Sequence, residues 1–451
     1  MPLDEMIEDR SDLELQLLAA AITGRQPPES ELNMMFFATP FVVALGLILG
    51  ATTAAPARVT VDSTLPLPWF QYEGDSHYEF GQALGAQFKD KIAARILQST
   101  QLQTTLLPFF ATALGKATYD KYLATHNTTF PEFIEEIQGM SNGSGIPFST
   151  LFLMNIVEEY GQSIPRPNTF VSQMHCSDLV LHTTEFCIVG HNEDSGAGDV
   201  NKTALVTAKI HGDPAFTAFT YLGDLPTGAF GANEHAIAFS MNYVEPLDID
   251  VGGLGRGFVS RDLLRATDYA DAIARMTRVG QAAGHNFQLM DVGAGHVVNV
   301  EVASFNRTNI RAIKADAPPF FHTNQYQSLL IRQPVGSSSY HRLRRYSHMA
   351  PPTSVAAILA LLGDQADSEF PVFHDATSHA KGELSNWTLI TVVFDVKNAV
   401  AYLLYPGVNP TMARVMMVLD LRNIQNVKLV HDDDGPDALT AQATMLQPST
   451  A

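Results

Sequence analysis

Cysteine is almost absent from this chain, whose 451 residues hold two, Cys176 and Cys187. That scarcity excludes a disulfide-stapled scaffold and leaves one bridge at most, between residues 187 − 176 = 11 apart, a span a hairpin could close. Positive charge is scarce as well: 28 Lys and Arg face 47 Asp and Glu, a formal net charge of −19. A nucleic-acid surface needs clustered Lys and Arg, and the one locally basic run, Arg342-Leu343-Arg344-Arg345, reads as a solvated helix face. Nucleotide and metal fingerprints are missing too, including any His/Cys/Glu cluster with zinc spacing, so neither a cofactor nor a metal is expected.

With 46% hydrophobic residues, the chain can bury a large core. Residues 1–33 form an acidic, polar extension, and the uncharged block Phe36 to Leu49 follows. Residues 34–57 read as a signal peptide ending in the small residues Ala55-Pro56-Ala57, with a start at Met34 or Met35 leaving 1–33 untranslated. A signal anchor is the competing reading, in which case this segment alone would touch a membrane. Five sequons, at Asn127, Asn142, Asn201, Asn306 and Asn386, agree with an exported glycoprotein of the extracellular space or a lysosomal or vacuolar lumen. The tail 431–451, acidic and then rich in Ala, Thr, Gln and Pro, is expected to be disordered.

Between these ends the hydrophobic period changes from helix to strand. Phe80, Leu84, Phe88, Ile92 and Ile96 recur every four residues and predict a helix over His77 to Ile96; Pro131 opens another, which stops at Asn142-Gly143-Ser144-Gly145, and Ser149 or Thr150 caps a third. A polar, proline-bearing loop from Tyr160 to His175 closes this helical segment, 58–175. From Cys176 to 430 the pattern is of hairpins: 179–181 with 186–189, 204–210 with 216–221, 229–243, 286–302 and 389–405. Helices are expected at 260–279, 338–349 and 353–362. Hairpins with helices between them predict an α+β architecture, two packed antiparallel sheets flanked by helices.

The chemistry centres on His175-Cys176-Ser177-Asp178 and Gly190-His191-Asn192-Glu193-Asp194. A thiol attacks as the thiolate and needs a base. Three solutions stay open on the residues alone. Cys176 is bonded to Cys187 and the chain is a non-catalytic secreted glycoprotein; or His191, His235 or His322 serves Cys176 as in papain-like enzymes; or the peptide before Cys176 is cut, and the freed α-amine, with a reference pKa of about 7.7 to 8.0, becomes the base on the same residue.

The sequence resembles the penicillin acyltransferase (isopenicillin N acyltransferase-like) family of N-terminal-nucleophile cysteine hydrolases. The likeness runs through Tyr78-Glu79-Phe80-Gly81 and Gly85, Glu136-Ile137-Gln138-Gly139, Cys176 to Asp194, Gly231 to Tyr243, Phe321-His322-Thr323-Asn324, and Arg342 with Arg345. It implies a four-layer αββα Ntn-hydrolase sandwich, a precursor that cuts itself between His175 and Cys176 into α and β fragments, and a thioester formed at Cys176 from a small linear amide or acyl donor. It further implies that Asp194 orients the Cys176 amine, that Asn324 serves the oxyanion, and that Asn192, Asn242 and Tyr243 wall the site. Lipid amides or esters, as in acid ceramidase-like and phospholipase B-like relatives, are the alternative substrates. Where relatives carry Gly before the nucleophile this chain has His175, and where they carry an arginine before Trp387 it has Ser385 and Asn386; without that arginine a carboxylate-bearing substrate is not expected.

Overall fold

Strand alternation dictates the layers. In β3 (Ser177–His182) every residue is buried, with Val180 facing a core between two sheets and Leu179 and Leu181 facing a core beneath helices, because successive side chains point to opposite faces. A strand buried on both faces needs a layer on each side. The computed structural model describes residues 57–165, 176–334, 337–376, 386–412 and 414–430. The expectations for 1–33, for the leader up to 56, for His175 and the loop before it, for Ser385 and for the tail 431–451 fall outside the described residues.

One sheet has seven strands in the order β12-β3-β4-β13-β14-β15-β16: Phe320–His322, β3, Cys187–Gly196, Asn386–Asp395, Val400–Leu404, Val415–Asp420 and Val427–Leu429. The other has nine in the order β1-β2-β5-β6-β7-β8-β9-β10-β11: Arg58–Asp62, Trp69–Gly74, Thr203–Ile210, Phe216–Tyr221, Phe230–Asn233, Ile237–Val244, Gly284–Asp291, His296–Ala303 and Arg307–Ile313. Neighbours run antiparallel except β2 with β5. Val180, Val189, Phe219, Phe230, Met290 and Val392 fill the space between the sheets.

Helices cover both outer faces. Against the nine-stranded sheet lie α1 (His77–Gln87), α2 (Lys89–Gln98), α3 (Ala113–Thr129), α4 (Pro131–Ser144), α5 (Phe148–Asn155), α6 (Val157–Gln162), α7 (Arg256–Leu263) and α8 (Tyr269–Met276). Against the seven-stranded sheet lie α9 (Ser337–Ser347) and α10 (Val355–Leu362), the latter burying Ile358, Leu361 and Leu362 on Leu179, Ile188 and Val393. The result is the αββα sandwich.

Local chemistry explains the helix ends. Ser76 accepts from the Glu79 N–H at 3.1 Å and so satisfies one of the four orphan donors at the start of α1. Phe88 leaves helical geometry at φ −112°, ψ 21°, dividing the expected single helix into α1 and α2. Pro131 opens α4 as predicted, and Gly145 ends it in the left-handed region at φ +77°, where a side chain is strained. The segment 58–175, expected as helical, also carries strands: its first residues make β1 and β2, with Phe70 and Tyr72 buried by alternation and β2 paired to β5, which lies beyond Cys176.

Four of the sequon asparagines, Asn127, Asn142, Asn201 and Asn306, are exposed. Asn386 is 7% exposed and opposite Gly196 in the β13–β4 ladder.

Candidate active site

Cys176 stands one residue ahead of β3 and is 2% exposed. Two side chains fix its backbone. Its N–H donates to Asn324 Oδ1 at 3.1 Å, its carbonyl accepts from Arg342 Nη1 at 2.5 Å, and Arg342 Nη2 donates to the same Asn324 Oδ1 at 2.8 Å. Two donors converging on Oδ1 settle which end of the carboxamide is oxygen. Asn324 Nδ2 donates to the Tyr243 carbonyl at 2.9 Å and keeps a second hydrogen.

Arg342 is wholly buried, bonded also to Ser177 Oγ at 2.9 Å and Ser338 Oγ at 3.1 Å. The solvated face expected for this basic run is therefore corrected. One turn of α9 carries Arg342 inward onto β3, while Arg345 pairs with Asp364 at 2.8 Å nearer the surface.

The sulfur meets carboxylates. Strand alternation sends Asp178, His191 and Glu193 into the space between the sheets, the side that Cys176 also faces. The thiol donates to Glu193 Oε2 at 3.6 Å, and His191 bridges Glu193 Oε2 at 2.9 Å and Asp178 Oδ1 at 2.7 Å. Tyr221 gives its hydroxyl to Glu193 Oε1, and Ser240 of β8 gives its own to Asp178 at 2.9 Å. Burial opposes a charged His191, yet the flanking Asp178 and Glu193 outweigh it and hold the imidazolium up to about 10. Burial, and then Glu193 and Asp194, push the Cys176 thiol well above its ordinary range, so it stands as a thiol that donates to Glu193.

Alternation also separates residues that were expected together. Asn192 points to the helix side, donating to the Leu362 and Val372 carbonyls at 2.8 and 3.2 Å and accepting from Thr391, so it walls no substrate site. Asp194 points the same way, facing His374 Nε2 at 3.6 Å; burial raises its carboxyl well above the usual range. What it offers Cys176 is its backbone N–H, directed at the sulfur, and the Cys176 N–H is held by Asn324 rather than by this carboxyl. Asn242 does face the inter-sheet space and accepts from Asn286 at 3.1 Å. Tyr243 contributes its carbonyl to Asn324, while its ring turns to the helices, 4.9 Å under the Arg256 guanidinium.

The papain-like arrangement is absent among the described residues. His235 is an exposed turn residue, His322 bonds Glu301 at 3.2 Å, and His191 reaches the sulfur only through Glu193. The disulfide reading is overturned. Both cysteines are free, and Cys187 pairs with His182, six residues up β3 from Cys176, roughly 20 Å at strand rise against the 4.4 to 6.8 Å that a disulfide spans. Reasoning from the sequence missed Glu193, Tyr221 and the inward Arg342. The signal for Arg342 was its place in the likeness set out above, and Glu193 shares its strand face with His191.

A cavity of about 280 Å³ opens beside Tyr221 and Ser195. Its lining includes four carboxyls, Glu158, Glu159, Asp199 and Asp224, and two guanidiniums. Arg95 is consumed by Asp199 at 2.6 Å and by a two-pronged contact with Asp224 at 2.6 and 3.0 Å. Arg256 lies 4.0 Å from Glu158. Burial holds the Glu159 and Asp224 carboxyls above their ordinary range despite these arginines.

Comparison with known proteins places these features in context. The profile of the family described as acyl-coenzyme A:6-aminopenicillanic acid acyl-transferase matches residues 182–409, beginning 182 − 176 = 6 residues after the thiol. A beta-alanyl-dopamine/carcinine hydrolase of Drosophila melanogaster is 26% identical over 332 residues, covering 68% of this chain and 85% of the fly protein. Among solved structures, a mutant conjugated bile acid hydrolase from Clostridium perfringens aligns with 57% of this chain and 97% of its own, at 13% identity and a TM-score of 0.29.

Proposed function

Because this chain belongs to the acyl-coenzyme A:6-aminopenicillanic acid acyl-transferase family, we propose that it is a self-processed Ntn cysteine amidohydrolase or acyltransferase that opens small linear amides through a thioester at Cys176. The observation that carries this reading is the position of Cys176 at the head of a doubly covered strand, its backbone clamped by Asn324 and Arg342.

In the precursor the thiol passes its proton toward Glu193, the sulfur attacks the carbonyl of the preceding residue, and the peptide bond becomes a thioester as the Cys176 nitrogen takes up a proton. Water then cleaves that thioester, releasing a carboxylate and the Cys176 thiol, beside the α-amine that the acyl shift has freed. In turnover the α-amine removes the thiol proton, sulfur adds to the substrate carbonyl, and the spare amide hydrogen of Asn324 supports the oxyanion, a donor of the kind worth about 3 to 4 kcal/mol. The leaving amine takes the proton back. Water or a second amine resolves the thioester, which separates hydrolysis from acyl transfer.

The substrate we propose carries a basic amine. Four carboxyls against two engaged guanidiniums leave the cavity wanting positive charge, and a bound cation would favour the ionised forms of Glu159 and Asp224, which burial disfavours. The fly relative's name points the same way, since a β-alanyl group ends in an amine. The test is incubation with a slow β-alanyl amide and mass mapping of the Cys176 peptide: an acyl adduct there supports the reading, and turnover without any adduct in Cys176→Ala-sensitive form contradicts it.

A further inference from the structure

Cys176 Sγ, His191 Nε2 and a Glu193 oxygen lie within 4.8 Å of one another, and all three residues are buried. From this geometry we infer that the nucleophile doubles as an inhibitory zinc site, with Cys176, His191 and Glu193 as the protein ligands. The inference does not depend on which amide the enzyme cleaves.

Donor chemistry selects the metal. A thiolate, an imidazole and a carboxylate form the mixed sulfur, nitrogen and oxygen set that suits zinc and not the hard, oxygen-loving magnesium or calcium. Spacing agrees. With zinc bonds of about 2.3 Å to sulfur and about 2.0 to 2.1 Å to nitrogen and oxygen, tetrahedral edges come to about 3.3 to 3.6 Å. Sγ and Glu193 Oε2 already stand 3.6 Å apart, and His191 Nε2 and Oε2, at 2.9 Å, need to part by a few tenths of an ångström.

The outer shell is in place. His191 Nδ1 is bonded to Asp178 at 2.7 Å, and Asp178 is fixed in turn by Ser240 at 2.9 Å. A carboxylate on the far nitrogen is the arrangement that orients an imidazole on a metal. Two carboxylates about one imidazole also leave negative charge that a dication offsets. Tyr221, which donates to Glu193, also lines the cavity. On binding, the thiol and Nε2 each release a proton to solvent; the fourth position takes water or, after processing, the α-amine of Cys176 in a five-membered chelate. A sulfur so held cannot attack a carbonyl.

The experiment is titration of the full-length purified protein with zinc chloride by calorimetry, and with cobalt(II) followed by its thiolate charge-transfer absorption. One equivalent is expected to bind. Cys176→Ala, His191→Gln and Glu193→Gln should each weaken binding about tenfold or more, with Cys187→Ala unchanged. Should the substitutions unfold the chain, the wild type suffices: zinc is expected to slow alkylation of Cys176 and leave Cys187 unaffected. Equal alkylation rates with and without zinc, or undiminished binding by folded Cys176→Ala and His191→Gln proteins, overturn the inference. Absence of amide turnover in the zinc-free protein, with zinc binding intact, would instead count against the proposed reaction alone.

Discussion

Arg342 shows how much a single side chain holds at the site. Its planar fork reaches the Cys176 carbonyl, Ser177 and Asn324 at once, a geometry that the point charge of lysine cannot reproduce. Arg342→Lys is therefore expected to lower kcat/KM by about 10²-fold, the scale of a nucleophile displaced by about an ångström, and kinetic assays of the folded variant check it. Asn324 has a second task. Its Oδ1 fixes the Cys176 nitrogen while, in the proposed reaction, its amide would serve the oxyanion, so Asn324→Ala should cost about 10²- to 10³-fold in kcat with KM little changed. A variant in which KM alone rises would remove Asn324 from the transition state.

Among the elements, the α1–α4 pair is the most exacting. Cβ atoms built at Gly81 and Gly139 would stand 1.9 Å from the Glu136 and Tyr78 carbonyl oxygens, and Gly85 and Gly143 meet the opposite backbone at 2.4 and 2.1 Å. Backbone cannot step aside as a side chain can. Gly139→Ala should thus destabilise the fold by at least about 2 kcal/mol, the overpacking range, seen as a lower denaturation midpoint with an unchanged m-value.

Helices and hairpins with a clean period were legible from the sequence: Phe80 and Leu84 at spacing four, Phe216 to Tyr221, and the Pro131 start of α4. What escaped was of two kinds. Short strands such as β1 and β12 are defined by their partners more than by their own residues. Side-chain direction was the other, because the one-residue offset that sends Glu193 to the thiol and Asp194 and Asn192 to the helices depends on where β4 begins. Asp178, Ser240, Gln288 and Asn299 were polar residues at inward positions of buried strands, a pattern the hydrophobic period alone reads as noise.

At the scale of the whole molecule, buried histidines tie stability to pH. His126 is fully buried and satisfied only when neutral: its Nδ1–H donates to the Tyr122 carbonyl at 2.7 Å and its Nε2 accepts from the Gly255 N–H at 2.9 Å, which joins α3 to the start of α7. Burial lowers it from 6.5 to about 4. Below pH 6.5 the unfolded chain takes up a proton that the folded chain refuses, so this contribution is present above 6.5 and is lost as pH falls toward 4, about 3 kcal/mol in all. Denaturant melts from pH 7 to 4 should show that slope, and His126→Gln, which keeps a donor and an acceptor but does not titrate, should lose it. An identical slope in the variant would place the acid sensitivity elsewhere.

Processing also acts on the whole molecule, since β2 lies before the proposed cut and β5 after it, yet the two pair in parallel through Trp69 to Gly74. The fragments would stay together after the break. N-terminal sequencing of the purified, active protein tests the central claim most directly. Two fragments on a reducing gel, the larger beginning at Cys176, with Cys176→Ala remaining whole, is the result predicted. Full activity from a chain unbroken between 175 and 176 is the result that contradicts it.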